Sequence, residues 1–117
     1  MKTFRLCVAL CVLAVSTAAV AQDAVKSAPN NTKVVLENER VRVYEFWAKA
    51  GDKMPVHSHP DHLVYVTGGG KVKFTGADGK VTENDMKAGQ ALWVPATTHS
   101  IEALSGDVRA VVVELKK

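Results

Sequence analysis

The chain has 117 residues, of which 47% are hydrophobic and 23% charged, with eight glycines and four prolines. This composition is typical of one folded domain and excludes collagen-like and low-complexity chains. The formal charge is +3, but Lys2 and Arg5 lie in a segment that we predict to be removed, and without them the charge falls to +1. We therefore expect no nucleic-acid partner, because binding to phosphates requires a clearly basic surface.

The first predicted element is an export signal over residues 1–21. Lys2 and Arg5 precede the apolar run LCVALCVLAV, and Ala-Val-Ala at 19–21 has the small residues that a signal peptidase requires. The apolar run is about half the length of a membrane span. We expect cleavage before Gln22, a periplasmic or secreted location, and no membrane association after cleavage.

The remaining chain is predicted to be a flexible N-terminal arm followed by one all-β domain. Residues 22–31 (QDAVKSAPNN) are polar and rich in turn formers, which predicts an arm leading into a domain at 32–117. Beyond the arm, short β-branched and aromatic runs alternate with turn residues, and no ten-residue stretch has a helical period. These runs, at 34–36, 40–47, 63–67, 71–74, 80–82, 91–94, 100–104 and 108–115, predict an antiparallel sandwich or small barrel.

The four histidines of the chain indicate a metal site. His57 and His59 are two residues apart, so on a strand they present their imidazoles to the same face. An isolated pair of this kind is more often a feature of the surface than a ligand set. Here, however, the pair and His99 each follow a glycine and a proline at predicted strand edges. Three converging imidazoles would leave an open position for water or substrate, as catalytic metal sites do.

The same residues resemble the motifs of the cupin superfamily. Gly51 is followed by five residues and then His57-Ser58-His59, as in the first cupin motif, and Gly89 is followed by five residues and Pro95, as in the second. The resemblance covers residues 40–115. It implies a jelly-roll barrel that holds a divalent transition metal (Fe, Mn, Ni, Cu or Zn) through His57, His59 and His99. The chain departs from the motifs in the residues His62, Thr97, His99 and Ala103.

His62 stands where the first cupin motif has a glutamate. It is a candidate fourth metal ligand, a second-layer partner of the ligands, or a catalytic base at the rim, because histidine exchanges protons near neutral pH. The alternative is a solvent-facing turn residue after Pro60-Asp61. Asp61 is itself a candidate carboxylate ligand, although a residue directly after a proline in a turn usually stays in water.

Two functions remain open at this point. The first is an exported metalloenzyme, a dioxygenase-like oxidoreductase that acts on a small organic substrate. The second is a module that binds a metal or small ligand without turnover. Aromatic side chains such as Phe46, Phe74, Tyr65 and Trp93 could line a substrate pocket or fill the core. The resemblance also implies a homodimer, and the apolar strands near Val34 and Val111 suggest pairing through sheet edges.

Overall fold

Ten strands and one short helix make up the part of the chain that the structure describes. The structure is a computed structural model that describes residues 22–117, so the predicted export signal lies outside the described residues. The strands are β1 (Gln22–Asp23), β2 (Thr32–Glu37), β3 (Val41–Lys49), β4 (Lys53–His59), β5 (His62–Gly68), β6 (Gly70–Gly76), β7 (Val81–Met86), β8 (Ala91–Val94), β9 (Thr97–Ala103) and β10 (Asp107–Leu115), and the helix is α1 (Ala24–Ser27).

The strands form two five-stranded sheets. One sheet has the order β1-β4-β9-β6-β7 and the other has the order β2-β3-β10-β5-β8. All pairs are antiparallel except β1 with β4, which is parallel. Successive strands often belong to opposite sheets, and the two sheets face each other as in a jelly roll. The all-β fold class predicted from the sequence is therefore confirmed.

The period-2 pattern of β10 explains how the core is filled. Val108, Ala110, Val112 and Glu114 are buried, whereas the residues between them are exposed or half-buried. Alternate side chains of a strand point to opposite faces, so this set lines the interior between the sheets. β10 lies in the middle of its sheet, between β3 and β5. Pairing of two chains through an edge near Val111 is therefore wrong, because both sides of β10 are already paired.

The eight predicted strands are present, and the structure adds the two-residue β1 and the seven-residue β4. β4 contains Pro55, which cannot donate a hydrogen bond to a neighbouring strand. The register of β4 against β9 shifts between Met54 and His57, and this irregularity accommodates the proline. β7 extends to Met86 through the polar residues 82–85, because an edge strand with exposed side chains needs no apolar alternation.

The segment predicted to be a flexible arm packs against the barrel instead. Gln22 and Asp23 pair with β4, Ala24 is fully buried, and Ala28 is nearly so. The carbonyl of Ala28 also accepts a hydrogen bond from the Thr32 hydroxyl at 2.9 Å. Small apolar residues in a polar sequence are too short to mark a buried segment by pattern, which is why the sequence predicted an arm. Within residues 22–117 no helix is long and apolar enough to cross a membrane.

Candidate metal centre

Two neighbouring strands bring the predicted ligands together. His57 and His59 lie on the same face of β4, and His57 is the register partner of His99 on β9. Directly opposite residues of an antiparallel pair point to the same side of the sheet. The three imidazoles therefore face the interior between the two sheets, as the sequence spacing predicted.

The three rings form a tight group. One ring nitrogen from each of His57, His59 and His99 lies within 4.8 Å of those of the other two. The ring centroids of His57 and His59 are 4.7 Å apart, those of His57 and His99 also 4.7 Å, and those of His59 and His99 5.1 Å. The group can hold one ion without a change of strand register.

The hydrogen bonds of His57 leave one of its nitrogens free for a ligand. Its Nδ1 lies 2.7 Å from the carbonyl oxygen of Pro55. Because a carbonyl only accepts, Nδ1 must carry the proton, and Nε2 therefore has the lone pair. Among the described residues, the buried side-chain nitrogens and oxygens without a hydrogen-bond partner are Nε2 of His57 and Nε2 of His99.

A metal ion fits this donor set. A buried polar atom without a partner loses its hydrogen bonds to water and gains nothing in return, so two such atoms on register partners of neighbouring strands need an explanation. A cation bound by these two nitrogens would give both of them a partner. The positions of His57, His59 and His99 thus agree with the ligand set that the sequence implied.

His62 begins β5 and is only 3% exposed, so the interpretation as a solvent-facing turn residue is wrong. Its Nδ1 lies 2.7 Å from the carbonyl oxygen of Pro60, and the same reasoning gives its Nε2 a lone pair. The ring stacks on His59 and lines the same cavity, but it does not belong to the group of three. Pro60 precedes His62 by two residues, as Pro55 precedes His57, and both prolines orient their histidines in the same way.

Asp61 has a structural role outside the histidine cluster. Its Oδ1 accepts a hydrogen bond from the backbone N–H of Ala96 at 2.8 Å. Its carboxylate therefore ties the turn before β5 to the turn between β8 and β9. This hydrogen bond gives the Asp61 carboxylate a role that does not involve a metal.

Glu114 is a site residue that the sequence analysis missed. Its side chain is 3% exposed, and its Oε2 accepts hydrogen bonds from Nδ1 of His59 at 2.9 Å and from the hydroxyl of Tyr44 at 3.3 Å. Its Oε1 accepts from Nε of Arg42 at 3.0 Å. A signal was available, because Glu114 continues the buried alternation of Val108 to Val112 on β10.

Burial sets the charge state of the site. It lowers the pKa of His57 and of His62, and for His99 burial and the neighbouring His57 together lower the pKa to about 3. The rings of His57, His62 and His99 are therefore neutral at pH 7, and the neutral imidazole is the form that binds metals. Burial alone would raise the pKa of Glu114, but hydrogen bonds from His59 and Arg42 outweigh it and keep that pKa below its ordinary value.

The histidines open onto a cavity of about 580 Å³ between the sheets. Most of its lining is apolar and includes Phe46, Phe74 and Ile101, while Lys80 and Asn84 add polar groups. By contrast, Tyr65 and Trp93 are 47% and 57% exposed and do not line it. The space is large enough for a small organic molecule beside the rings.

Several solved structures with the same fold are cupin proteins. A cupin domain from Bordetella pertussis matches with a TM-score of 0.68 at 24% identity, covering 74% of this chain and 92% of that one. An RmlC-like cupin protein from Desulfovibrio desulfuricans is 30% identical, with a TM-score of 0.54, covering 72% of this chain and 79% of that one. The polyketide cyclase RemF from Streptomyces resistomycificus is 21% identical, with a TM-score of 0.56, covering 74% of this chain and 64% of that one. No family model and no curated protein matches the sequence.

Proposed function

The chain belongs to the cupin superfamily, and on that premise we propose that it is an exported cupin that holds a divalent transition metal through His57, His59 and His99. The observation that carries the proposal is the pair of buried, unpartnered Nε2 atoms of His57 and His99. A donor set of imidazoles favours Fe, Ni, Cu or Zn over Mn, which prefers oxygen ligands. Such an ion would supply Lewis acidity or one-electron chemistry toward O2.

The cavity supports a small organic substrate with an apolar body. Phe46 and Phe74 offer aromatic surface, and the ring centroid of Phe74 lies 5.3 Å from that of His99. A flat, apolar molecule bound there would have its polar end at the histidines. We propose a dioxygenase-like oxidation, in which both atoms of O2 enter the product and no external reductant is consumed.

We propose that His62 is the proton acceptor of the site. Its Nε2 carries the lone pair because Nδ1 is held by the Pro60 carbonyl, and its ring lines the cavity next to His59. An enol or catechol must lose a proton before oxidation, and a neutral imidazole within reach can take it. In this proposal His62 contacts the substrate in the cavity, while His57, His59 and His99 coordinate the metal.

Metal analysis of the purified protein tests this function. We expect about one transition ion per chain, and a His57→Ala/His59→Ala double variant should lose it while keeping an all-β circular dichroism spectrum. Glu102→Gln is a matched control, because Glu102 lies on β9 but pairs with Lys73. The loaded protein is then assayed for oxygen consumption with enols, catechols and thiols. A metal content equal in wild type and double variant would contradict the metal site.

Absence of turnover with a retained metal would favour the second candidate, a binding module without catalysis. The observation that favours this candidate is the replacement of the family's motif glutamate by His62, which leaves no carboxylate among the three grouped ligands. Binding of the same enols or catechols without oxygen uptake would identify such a module.

Export is proposed from residues 1–21, with Gln22 as the first residue of the mature chain. The expected location is the periplasm or the medium. N-terminal sequencing of the protein recovered there should begin at or near Gln22. An intact Met1 on protein recovered from the cytoplasm would contradict this proposal.

We also propose a homodimer. An apolar row crosses the outer face of the second sheet, because its residues are successive register partners from β2 to β8. The row is Leu36, Val43, Val113, Leu63 and Trp93. A second copy of the chain could cover it. In sedimentation experiments Trp93→Lys should yield monomer. Val81→Lys changes a similarly exposed apolar residue on β7 and should leave the dimer intact. A monomeric wild type at micromolar concentration would contradict the dimer.

A further inference from the structure

A chain of charged contacts connects the N-terminal segment to one of the proposed ligands. Oδ2 of Asp23 lies 2.7 Å from Nη2 of Arg42. Arg42 in turn donates from Nε to Oε1 of Glu114 at 3.0 Å, and Oε2 of Glu114 accepts from Nδ1 of His59 at 2.9 Å. The four residues come from β1, β3, β10 and β4, so the contacts join both sheets.

The contacts of Glu114 explain how a carboxylate can be buried at this place. An isolated buried carboxylate is strongly disfavoured. Here one oxygen is held by Arg42 and the other by His59 and Tyr44, so the charge is paired and both oxygens accept hydrogen bonds. Replacing such a group by a hydrophobic residue is often neutral for stability. Stability alone therefore does not account for Glu114.

The position of His59 shows what the carboxylate does there. His57 and His62 are oriented by carbonyls two residues earlier in their own strand or turn. His59 is oriented by a side chain 55 residues away, on the opposite sheet. A carboxylate acceptor on Nδ1 fixes the tautomer with the lone pair on Nε2 and makes that nitrogen a stronger donor to a metal.

We propose that Glu114, held by Arg42, is a positioning residue that presents Nε2 of His59 to the metal. Asp23 pairs with Arg42, so the N-terminal segment contributes to metal binding through this contact. The inference rests on the proposed metal-binding function. It predicts that two residues that do not themselves coordinate the ion, Glu114 and Asp23, control its affinity.

Asp23 has a second role that must be separated from this one. Its Oδ1 accepts from the backbone N–H groups of Val25 and Lys26 at 2.9 and 3.2 Å and so caps α1. Asparagine is as good a helix N-cap as aspartate, but it carries no charge for Arg42. Asp23→Asn therefore keeps the cap and removes the ion pair.

The experiment measures Co2+ affinity and the visible absorption spectrum of bound Co2+ for the wild type and three single variants. We expect Glu114→Gln to weaken Co2+ binding by about 10- to 100-fold, the range found when partners of metal-bound histidines are removed, and to shift the Co2+ absorption bands. Asp23→Asn should weaken binding by a smaller factor, because it acts through Arg42. Glu102→Gln should bind as the wild type does, because its ion pair with Lys73 lies away from the histidines.

A further variant addresses folding. Glu114→Gln leaves Arg42 without its buried partner, so an Arg42→Gln/Glu114→Gln double variant removes both charges together. If this double variant folds and also binds Co2+ weakly, with shifted bands, the positioning role is supported independently of the buried charge.

The outcomes separate this inference from the function on which it rests. Wild-type protein that binds Co2+ together with a Glu114→Gln variant of equal affinity and spectrum would overturn the positioning role and leave the metal site standing. Wild-type protein that binds no Co2+ would overturn the metal site and the positioning role with it.

Discussion

The imidazole of His62 stacks on that of His59, with ring centroids 4.4 Å apart and ring planes inclined by 26°. The two residues are separated in sequence by Pro60 and Asp61 and lie at the end of β4 and the start of β5, which belong to opposite sheets. The stack therefore joins the two sheets next to the proposed ligands. It also places the lone-pair nitrogen of His62 in the cavity that would hold the substrate.

A His62→Ala variant should separate the role of base from that of ligand. Since His62 lies outside the group of three, we expect its loss to change metal affinity by less than about threefold, whereas His59→Ala should cost at least about tenfold. Any oxygen consumption should fall strongly in His62→Ala. Equal loss of metal in the two variants, measured by elemental analysis, would instead make His62 a fourth ligand.

Core packing around β5 can be tested at Val66, which is fully buried. Truncation to alanine removes buried methyl groups and leaves a small cavity, so we expect Val66→Ala to lower the free energy of unfolding by about 2 kcal/mol. Val35→Ala, at a half-exposed position on β2, should change it by less than about 0.5 kcal/mol. Urea unfolding followed by circular dichroism measures both. Equal effects would contradict the burial of Val66 in the core.

Two glycines of β6 should respond differently to alanine. A Cβ at Gly70 would overlap the backbone carbonyl of Ser105, which cannot move without disturbing the turn before β10. We expect Gly70→Ala to cost about 3 kcal/mol, at the upper end of overpacking effects. At Gly76 the nearest atom is Oδ1 of the Asp78 side chain at 2.8 Å, which can rotate away, so Gly76→Ala should be nearly neutral. Thermal unfolding of the two variants provides the comparison.

The ion pair of Asp23 predicts a loss of stability in acid. Burial alone would raise the pKa of Asp23, but Arg42 and the amide groups of α1 outweigh it, so that pKa lies below its ordinary value near 4 in the folded chain. A lowered folded-state pKa stabilises the fold above the unfolded-state pKa, and this contribution is lost as pH falls through the folded-state value.

The predicted loss of stability in acid is tested by measuring the unfolding free energy of the metal-free protein between pH 6 and pH 3. The wild type should lose more stability than Asp23→Asn over that interval. Asp107→Asn should behave like the wild type, because the Asp107 carboxylate pairs with Arg109 at 3.5 Å in a half-exposed position where water screens the charge. Parallel curves for wild type and Asp23→Asn would contradict the role of Asp23.

The sequence predicts the grouping of His57, His59 and His99, because strand geometry and motif spacing are local signals. His57 and His59 share a face by the geometry of any strand, and the motif that contains His99 implied the second strand. The partners of these ligands could not be predicted in the same way. Glu114 reaches His59 across 55 residues and Arg42 across 72, and a single sequence contains no information on which strands become neighbours.

The N-terminal segment shows the other limit of prediction from one sequence. Its burial depends on the alanine side chains at 24 and 28, whose small size gives no periodic hydrophobic signal. The helix that follows Asp23 has only four residues, too few for propensity to indicate it. The segment packs only where the folded barrel brings together β4, which pairs with Gln22 and Asp23, and the core residues Tyr44 and Val112, which contact Ala24.

The order of the described strands along the chain has a consequence for the time at which the site can form. β10 follows the nine other described strands along the chain, and it occupies the centre of its sheet between β3 and β5. Until β10 has docked, β3 and β5 lack the strand that lies between them. His59 then also lacks Glu114, the hydrogen-bond acceptor of its Nδ1. Closing such long loops makes folding slow. A chain in which β10 has not yet docked would therefore present the histidines without their supporting contacts, and metal would be bound tightly only after the barrel had closed.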